Sequence, residues 1–316
     1  MAMSKQKFTR EEKKAYAKQR TADDADRWFN QLEQAIVNNE LPWQKPWAAG
    51  TASMPTNIKS KKRYRGSNII SLMIGGWIEG WTDLRFGTYK QLIDADYSIK
   101  GLKRGTGQLV KFVKEIVYEN ENDDGEIEKK KVFYAQYSEV FCVEQCQNYE
   151  PPKHKHEPVP ESEMMKHFNK FVEDQAITLE RKGSRAFYSS KKDYIGLPSH
   201  ESFTDSLGEV MTAFHEAGHA TGHKDRLNRP LGNGFGSADY AFEELIAEMS
   251  SMLTVLSLGG DFVPDLVNEE GANSQAYLKN WLKACKDRDN ALSLAFSNAQ
   301  KASDFILKSI EGVDEE

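Results

Sequence analysis

Three histidines at intervals of four residues lie in the segment VMTAFHEAGHATGHKDRLNR, residues 210–229. If this segment is helical, His215 and His219 lie one turn apart on one face, about 6 Å along the axis. Two imidazoles in that position can share one zinc ion at Zn–N distances of about 2.0–2.1 Å. The spacing therefore predicts a metal site, with Zn²⁺ as first choice and another divalent metal such as Mn²⁺ as the alternative.

Glu216 directly follows the first histidine, so on a helix its side chain points beside the metal rather than onto it. From there it can accept a proton from a water whose pKa the metal lowers to about 7. The arrangement His-Glu-x-x-His is that of zincin metallopeptidases. Glu216 is therefore the predicted catalytic base, and Tyr240 or His223 is a candidate for stabilising the oxyanion.

The third metal ligand has two candidates. In the first, Gly222 turns the chain and returns Asp225 to the metal; in the second, Glu244 of the segment EELIAE reaches it from the next helix. Glu244 is favoured, because Glu248 then lies one turn further on the same face and can accept the non-metal N–H of a ligating histidine. Glu243 is expected to point off that face into solvent. His223 is expected near the end of its helix, as a neighbour of the site more than as a ligand.

The elements around this motif follow from local patterns. Ser206 and Glu209 predict a capping box at the start of the motif helix. The segment RAFYSSKKDYIGLP predicts two short strands around a polar turn, and a peptide substrate is expected to pair along DYIGLP, residues 193–198, as an edge strand. Residues 239–260 predict the helix that carries Glu244, and the tail from 274 to 310 is helical in pattern.

The proline-rich segment NYEPPKHKHEPVPE marks a domain boundary, because its composition is that of a linker. It separates a first domain, residues 1–150, from a second domain, residues 161–316, with the linker at about 148–160. In the first domain, two strand-like segments flank the charged insert YENENDDGEIEKKK and predict a hairpin. The mixture of helices and strands in both halves predicts an α+β protein of two domains.

The net charge of −6 is unevenly distributed. Residues 1–150 carry +3 and residues 151–316 carry −9, whereas residues 55–114 alone carry +8. A basic region rich in aromatic residues suits single-stranded nucleic acid, because lysines neutralise phosphates while bases stack on aromatic rings. The alternative is a solvated lysine-rich face with core tryptophans. The candidate DNA-binding residues are Lys59, Lys61, Lys62, Arg63, Tyr64, Arg65, Lys103, Arg104, Trp43 and Trp47.

Composition also excludes some classes of protein. Three cysteines are too few for a disulfide framework and favour a reducing cytoplasm. The polar N-terminus has no signal-peptide pattern, and the longest apolar runs are about half of the roughly 20 residues that a membrane helix needs. We therefore expect a soluble, cytoplasmic protein with no membrane partner.

Taken together, these motifs resemble the ArdC antirestriction proteins of conjugative plasmids and phages, which are related to the N-terminal part of TraC-type plasmid primases. The resemblance runs through LPWQKPW, RYRGSN, GTYKQ and GLKRGTGQLVKF in the first half, and through SRAFYSSKKDYIGLP, HEAGHATGHKDRLNR, DYAFEELIAE and NAQKASDF in the second. It implies a first domain that binds single-stranded DNA and a zincin-like metallopeptidase domain. It also implies a role in protecting incoming DNA from restriction.

The resemblance places His215, Glu216 and His219 on the family's metal-site motif, and Glu244 in its YAFEELIAE segment. This chain has Ala217 and Gly218 where the family often has a bulkier apolar group, a departure that could alter the pocket. Nothing in the sequence resembles a primase catalytic domain, so primase activity is not expected. Three hypotheses remain: antirestriction by DNA binding with a structural metal, antirestriction that needs proteolysis of a host restriction component, or a regulatory peptidase with an unknown protein substrate that DNA binding merely localises.

Overall fold

The computed structural model describes residues 54–103, 105–121, 127–152, 159–231, 238–260 and 288–311, together with Ala15 and Gln19. Several predicted features lie outside the described residues: Trp43, Trp47, Arg104, residues 153–158 of the linker, and the first part of the C-terminal tail. None of the described helices is long and apolar enough to cross a membrane.

From residue 54 onward, the described part of the first domain is a four-stranded sheet with two helices. Its elements are β1 (Thr56–Asn57), α1 (Ser67–Glu79), β2 (Arg85–Gly87), α2 (Tyr89–Asp94), β3 (Gln108–Glu121) and β4 (Ile127–Cys142). The strand order is β1-β2-β4-β3, with β1 parallel to β2 and the other neighbours antiparallel. The predicted hairpin is confirmed as β3–β4, whose register begins at the pair Gln108 and Val140. Residues 118–121 and 127–130, which are described parts of the charged insert, pair with each other at the far end of this hairpin.

In the second domain, the residues that the structure describes form a small sheet and four helices. Its elements are α3 (Glu161–Asp174), β5 (Thr178–Arg181), β6 (Phe187–Ser189), β7 (Tyr194–Leu197), α4 (Ser206–Ala220), α5 (Ala238–Ser257) and α6 (Arg288–Glu311). The helices predicted around the motif and around Glu244 are confirmed as α4 and α5, and part of the tail is confirmed as α6. Helix α4 packs on α3 and α5, and α6 covers α5 from another side. This packing buries Phe168, Phe214 and Phe296.

The start of α4 differs from the prediction. The N-cap is Asp205, whose Oδ1 accepts a hydrogen bond from the backbone N–H of Gly208 at 2.7 Å. Ser206 is the first helical residue, so the predicted capping box is wrong. Glu209 is instead buried, with Oε1 2.8 Å from the guanidinium of Arg181 and 2.7 Å from Nδ1 of His200. The cap stabilises the first turn of α4, and the ion pair with Arg181 of β5 joins this turn to the neighbouring sheet.

The role expected for DYIGLP is also corrected. Strand β7 lies at the centre of the three-stranded sheet, parallel to β5 on one side and antiparallel to β6 on the other. Both of its hydrogen-bonding edges are therefore occupied by other strands. Strands β6 and β7 both contact α4, and β6 is the outer strand. An incoming strand on this side would have to pair with β6.

Gly218 lets α4 and α5 approach closely. A Cβ atom at this position would lie 2.4 Å from Oγ of Ser250 and 3.0 Å from Cα of Ala247. Ala217, beside it, is completely buried. The small residues therefore serve helix packing, and their effect on the pocket stays a prediction.

The two domains contact each other where α6 packs on α1. Arg65 forms an ion pair with Asp304 of α6, and the backbone N–H of Gly66 donates to Oε1 of Gln300 at 3.3 Å. Gln300 in turn donates to Asp304 at 2.8 Å. The segment that follows the first strand is thus joined by polar contacts to the second domain.

Candidate metal centre

Three side chains from two adjacent helices converge at one point. His215 and His219 come from α4, and Glu244 comes from α5, with one nitrogen or oxygen of each lying within 4.8 Å of the others. The two histidines share a face because they are four residues apart on a helix. Glu244 reaches them because α4 and α5 pack against each other.

The Nε2 atom of each histidine faces a different oxygen of the Glu244 carboxylate. Nε2 of His215 lies 3.4 Å from Oε2 of Glu244, and Nε2 of His219 lies 3.4 Å from Oε1 of the same residue. The imidazole rings are nearly perpendicular, at 82°, with centroids 4.8 Å apart. Both Nε2 atoms therefore point toward a common position beside the carboxylate.

The opposite nitrogen of each ring faces a second carboxylate. Nδ1 of His215 lies 3.1 Å from Oε2 of Glu248, as proposed from the i, i+4 spacing of Glu244 and Glu248. Nδ1 of His219 lies 3.4 Å from Oε1 of Glu243. An acceptor at Nδ1 favours the tautomer that leaves the lone pair of Nε2 free for a metal.

Glu243 does not point into solvent, so that expectation is wrong. It is 9% exposed, and its carboxylate accepts two hydrogen bonds from Arg229, at 2.9 and 2.6 Å. Burial raises the pKa of Glu243, but hydrogen bonds with Arg229 and His219 outweigh burial and lower it. Arg229 was not predicted, although the two arginines of the segment that returns from α4, Arg226 and Arg229, were a possible signal.

The carboxylates around His215 and His219 favour a positive charge at this site. Burial lowers the pKa of His215, but hydrogen bonds with Glu244 and Glu248 outweigh it and raise the pKa well above its ordinary value. Burial also lowers the pKa of His219. The charge of Glu244 and hydrogen bonds with Glu243 and Glu244 outweigh burial and raise this pKa to about 9. Burial raises the pKa of Glu244, and the two histidines lower it well below its usual range. Two nitrogens and one carboxylate in these surroundings are a donor set that zinc accepts.

The predicted catalytic base lies beside this group. Glu216 is 6% exposed on α4, and its charge contributes to the raised pKa of His215. Tyr240 is half-buried in the first turn of α5. The helix thus places a buried carboxylate directly after His215 in sequence, near enough for its charge to act on that ring.

Asp225 and His223 lie together, and neither belongs to the three-residue group. The Asp225 side chain is 73% exposed, with Oδ2 3.5 Å from Nδ1 of His223. The backbone N–H of Asp225 donates to the same nitrogen at 3.3 Å. The geometry therefore favours Glu244 over Asp225 as the third ligand, and it gives His223 a partner outside the group.

The predicted basic surface is built by a tight turn in the first domain. Oδ1 of Asn57 accepts hydrogen bonds from the backbone N–H groups of Lys59 and Ser60, at 3.1 and 3.0 Å. The backbone of Asn57 also pairs with Lys61 and Lys62 across the turn. We call the four exposed cations of this turn the basic loop: Lys59, Lys61, Lys62 and Arg63. Lys103 is also exposed.

Three of the candidate DNA-binding residues have partners within the protein; one is Lys59, whose Nζ lies 3.6 Å from Oδ2 of Asp94. Tyr64 is 6% exposed, its ring packs edge-on against Phe86 at 6.5 Å, and its hydroxyl accepts from Asn57 at 3.0 Å. This corrects the prediction that Tyr64 offers its ring to a base, because a stacked base needs an accessible face. Arg65 is exposed but engages Asp304.

A mixed first domain followed by a helical domain with the His-Glu-x-x-His helix defines a two-domain protein with a zincin-like second domain. Residues 22–141 match the N-terminal domain of anti-restriction factor ArdC, and residues 166–298 match the zincin-like metallopeptidase family MPTase-PolyVal. These matches lie on either side of the predicted linker. The chain belongs to the ArdC-type antirestriction proteins.

The sequences of three relatives match most of the chain. The protein y4eC of Sinorhizobium fredii, described as uncharacterized, is 31% identical over 87% of both chains. Two DNA primases TraC of Escherichia coli are each 33% identical, and the matched region spans 26% and 19% of their lengths.

Solved structures agree with these matches. The metal-free structure of antirestriction ArdC from plasmid R388 has a TM-score of 0.68 and 28% identity, and the match covers 91% of this chain and 97% of that one. Its Mn(II)-bound structure has a TM-score of 0.69 and 27% identity, with 92% and 99% covered.

Proposed function

We propose that this protein protects incoming DNA from restriction by binding single strands with its first domain and by cleaving a protein at a metal centre in its second domain. The convergence of His215, His219 and Glu244 carries the enzymatic half of this proposal. The exposed basic loop supports the DNA-binding half.

The donor set argues for a catalytic metal rather than a structural one. Structural zinc sites have four protein ligands, whereas catalytic sites have three and leave one position open. Among the described residues, the group contains two histidines and one glutamate. Zinc fits this set, and the Mn(II)-bound relative supports manganese as the alternative. When bound, such an ion polarises a peptide carbonyl and lowers the pKa of a water.

The chain's own residues supply the proton transfers. Glu216, buried beside the group, accepts a proton from the attacking water and passes it to the leaving amine. Glu248 and Glu243 hold the two imidazoles through Nδ1, so that their Nε2 atoms stay directed at the metal position. Tyr240, in the first turn of α5, is the candidate to stabilise the oxyanion.

Strand β6 is the candidate docking strand for the protein substrate. It is the outer strand of its sheet on the side of α4, so an extended peptide can add to it through backbone hydrogen bonds. Docking there requires an extended, locally unfolded segment. A flexible region of a host restriction component meets this requirement.

Single-stranded DNA binds through the basic loop, with Lys103 as a further contact. Four cations on a short rigid turn can each neutralise a phosphate, and that contribution is independent of base sequence. The aromatic platform, if stacking contributes, must come from rings other than Tyr64.

A DNA-transfer assay separates the two halves of the proposal. In one arm, Glu216→Gln keeps the donor set and removes the base, which we expect to lower the peptidase rate by about 10²- to 10⁴-fold. In the other arm, alanines replace the four cations of the basic loop. Both variants should lose protection of an incoming single strand. Full protection by Glu216→Gln would mean that proteolysis is not needed, and full protection by the loop variant would exclude this surface.

A further inference from the structure

Arg229 links the end of the metal helix to the carboxylate behind His219. Its guanidinium donates to Oε2 and Oε1 of Glu243 at 2.9 and 2.6 Å. It also donates to Oγ1 of Thr221 and to the carbonyl of Gly218, both at 2.8 Å. Arg229 is 9% exposed, so all of these bonds lie in the interior. A planar guanidinium with several partners holds a carboxylate in a fixed orientation.

The same carboxylate faces a predicted metal ligand. Oε1 of Glu243 accepts from Arg229 and lies 3.4 Å from Nδ1 of His219. The carbonyl of Gly218, next to His219 in α4, is held by the same guanidinium. Arg229 therefore contacts both the backbone beside the ligand and the side chain that orients its ring.

We propose that Arg229 is a positioning residue of the metal centre: by fixing Glu243 against Nδ1 of His219, it keeps Nε2 of that ring directed at the metal. This inference rests on the metal site of the proposed function. Partners behind a metal-ligating histidine set its tautomer and its ring orientation, and they change metal affinity without touching the metal.

Each ring lies between two carboxylates, but the carboxylate behind His219 is the more buried of the two outer ones. Glu243 and Glu244 are adjacent in α5, and both lie 3.4 Å from a nitrogen of His219. The side chain of Glu243 is only 11% exposed, so solvent offsets little of its charge, and the guanidinium of Arg229 compensates it instead. Glu248, behind His215, is 27% exposed and is reached by water.

A matched control lies three residues earlier. Arg226 belongs to the same return segment, and its side chain is 4% exposed. It donates to the carbonyl of Ala220 at 2.6 Å, to the hydroxyl of Tyr188 at 3.0 Å and to Asp193. It therefore also ties the end of α4 to its surroundings, but its partners are not carboxylates of the metal centre.

The test compares Zn²⁺ affinities of the full chain by competition with a chromophoric chelator. Arg229→Met should weaken Zn²⁺ binding by about 10- to 100-fold, whereas Arg226→Met should keep the wild-type affinity despite a similar loss of thermal stability. Arg229→Lys should fall between them, since an ammonium cannot form the two-pronged contact. The absorption spectrum of the Co²⁺-loaded protein should change in Arg229→Met and not in Arg226→Met.

Two results would overturn the inference: wild-type Zn²⁺ affinity with an unchanged Co²⁺ spectrum in Arg229→Met, or equal losses in the two variants. If Arg229→Met does not fold, Glu243→Gln removes the orienting charge while keeping the shape, and it must show the same direction of change. His215→Ala distinguishes the failure of the proposed function. If wild type and His215→Ala bind Zn²⁺ equally, the metal lies elsewhere and both proposals fall.

Discussion

Oε2 of Glu244 lies 3.4 Å from Nε2 of His215, across the contact between α4 and α5. This distance brings a carboxylate from a separate helix into the pair formed by His215 and His219. The local candidate, Asp225, has a side chain that is 73% exposed and lies next to His223 instead. The two candidates for the third ligand therefore predict opposite outcomes on mutation.

Glu244→Ala should lower metal affinity strongly, whereas Asp225→Ala should leave it near that of wild type. Changes behind a ligand cost about 10- to 100-fold in affinity, so loss of a ligand should exceed that range. Isothermal titration of the metal-free chain with Zn²⁺ measures both variants. A larger loss in Asp225→Ala than in Glu244→Ala would reverse the assignment.

The basic loop gives a second prediction. Lys61→Ala with Lys62→Ala should weaken single-stranded DNA binding and flatten its salt dependence, by about 0.7 in the slope of log K against log salt for each lost phosphate contact. Fluorescence anisotropy with a labelled oligonucleotide over a series of salt concentrations gives this slope. Lys166→Ala with Lys170→Ala is the matched control, because those lysines are on α3, in the second domain. Equal slopes in the two double variants would show that DNA binds elsewhere.

The parts of the centre that depend on one helix could be predicted from the sequence. His215 and His219 share a face because of helical periodicity, and Glu244 and Glu248 share one for the same reason. The sequence predicts that Glu243 is exposed, whereas this residue binds Arg229, which comes from a separate segment. The periodicity of a helix does not indicate which loop packs against the helix. The contact between Arg229 and Glu243 depends on the tertiary packing of the two segments and not on local sequence spacing.

The order of the strands and the burial of individual aromatic residues could not be predicted from the sequence either. The segment around Ile195 has the composition of a short strand, yet only the pairing of β7 on both sides shows that it is central. Tyr64 stands among cations in the sequence, but its ring turns inward to Phe86. A cluster of basic and aromatic residues indicates a class of partner, and it does not show which rings face solvent.

The close contact at Gly218 predicts that a larger residue at this position lowers the stability of the fold. Gly218→Ala should destabilise the chain by about 1–3 kcal/mol, because the added methyl lies 2.4 Å from Oγ of Ser250 and 3.0 Å from Cα of Ala247. Ser250→Ala in the same chain should recover part of this loss by removing the nearest atom. Chemical denaturation of the four proteins of the double-mutant cycle measures the coupling between the two positions. Strictly additive effects would contradict the proposed contact.

The ion pair between Arg226 and Asp193 predicts a pH dependence of stability. Burial raises the pKa of Asp193, but hydrogen bonds from Arg226 and Tyr188 outweigh it, so the pKa in the folded state lies below its ordinary value. The stabilisation is therefore present above the unfolded pKa of about 3.9 and is lost as the pH falls through the folded one. Asp193→Asn should lower the free energy of unfolding by about 2 kcal/mol at pH 7, since it removes hydrogen bonds to a charged group.

The difference between wild type and Asp193→Asn should accordingly shrink as the pH drops below about 3.9. Urea denaturation in excess chelator at a series of pH values isolates this effect from metal binding. Asp225→Asn is the control, since its carboxylate is 73% exposed and its loss should change stability little at any pH. A difference for Asp193→Asn that stays constant down to the acid limit would mean that the side chain acts through its shape rather than its charge.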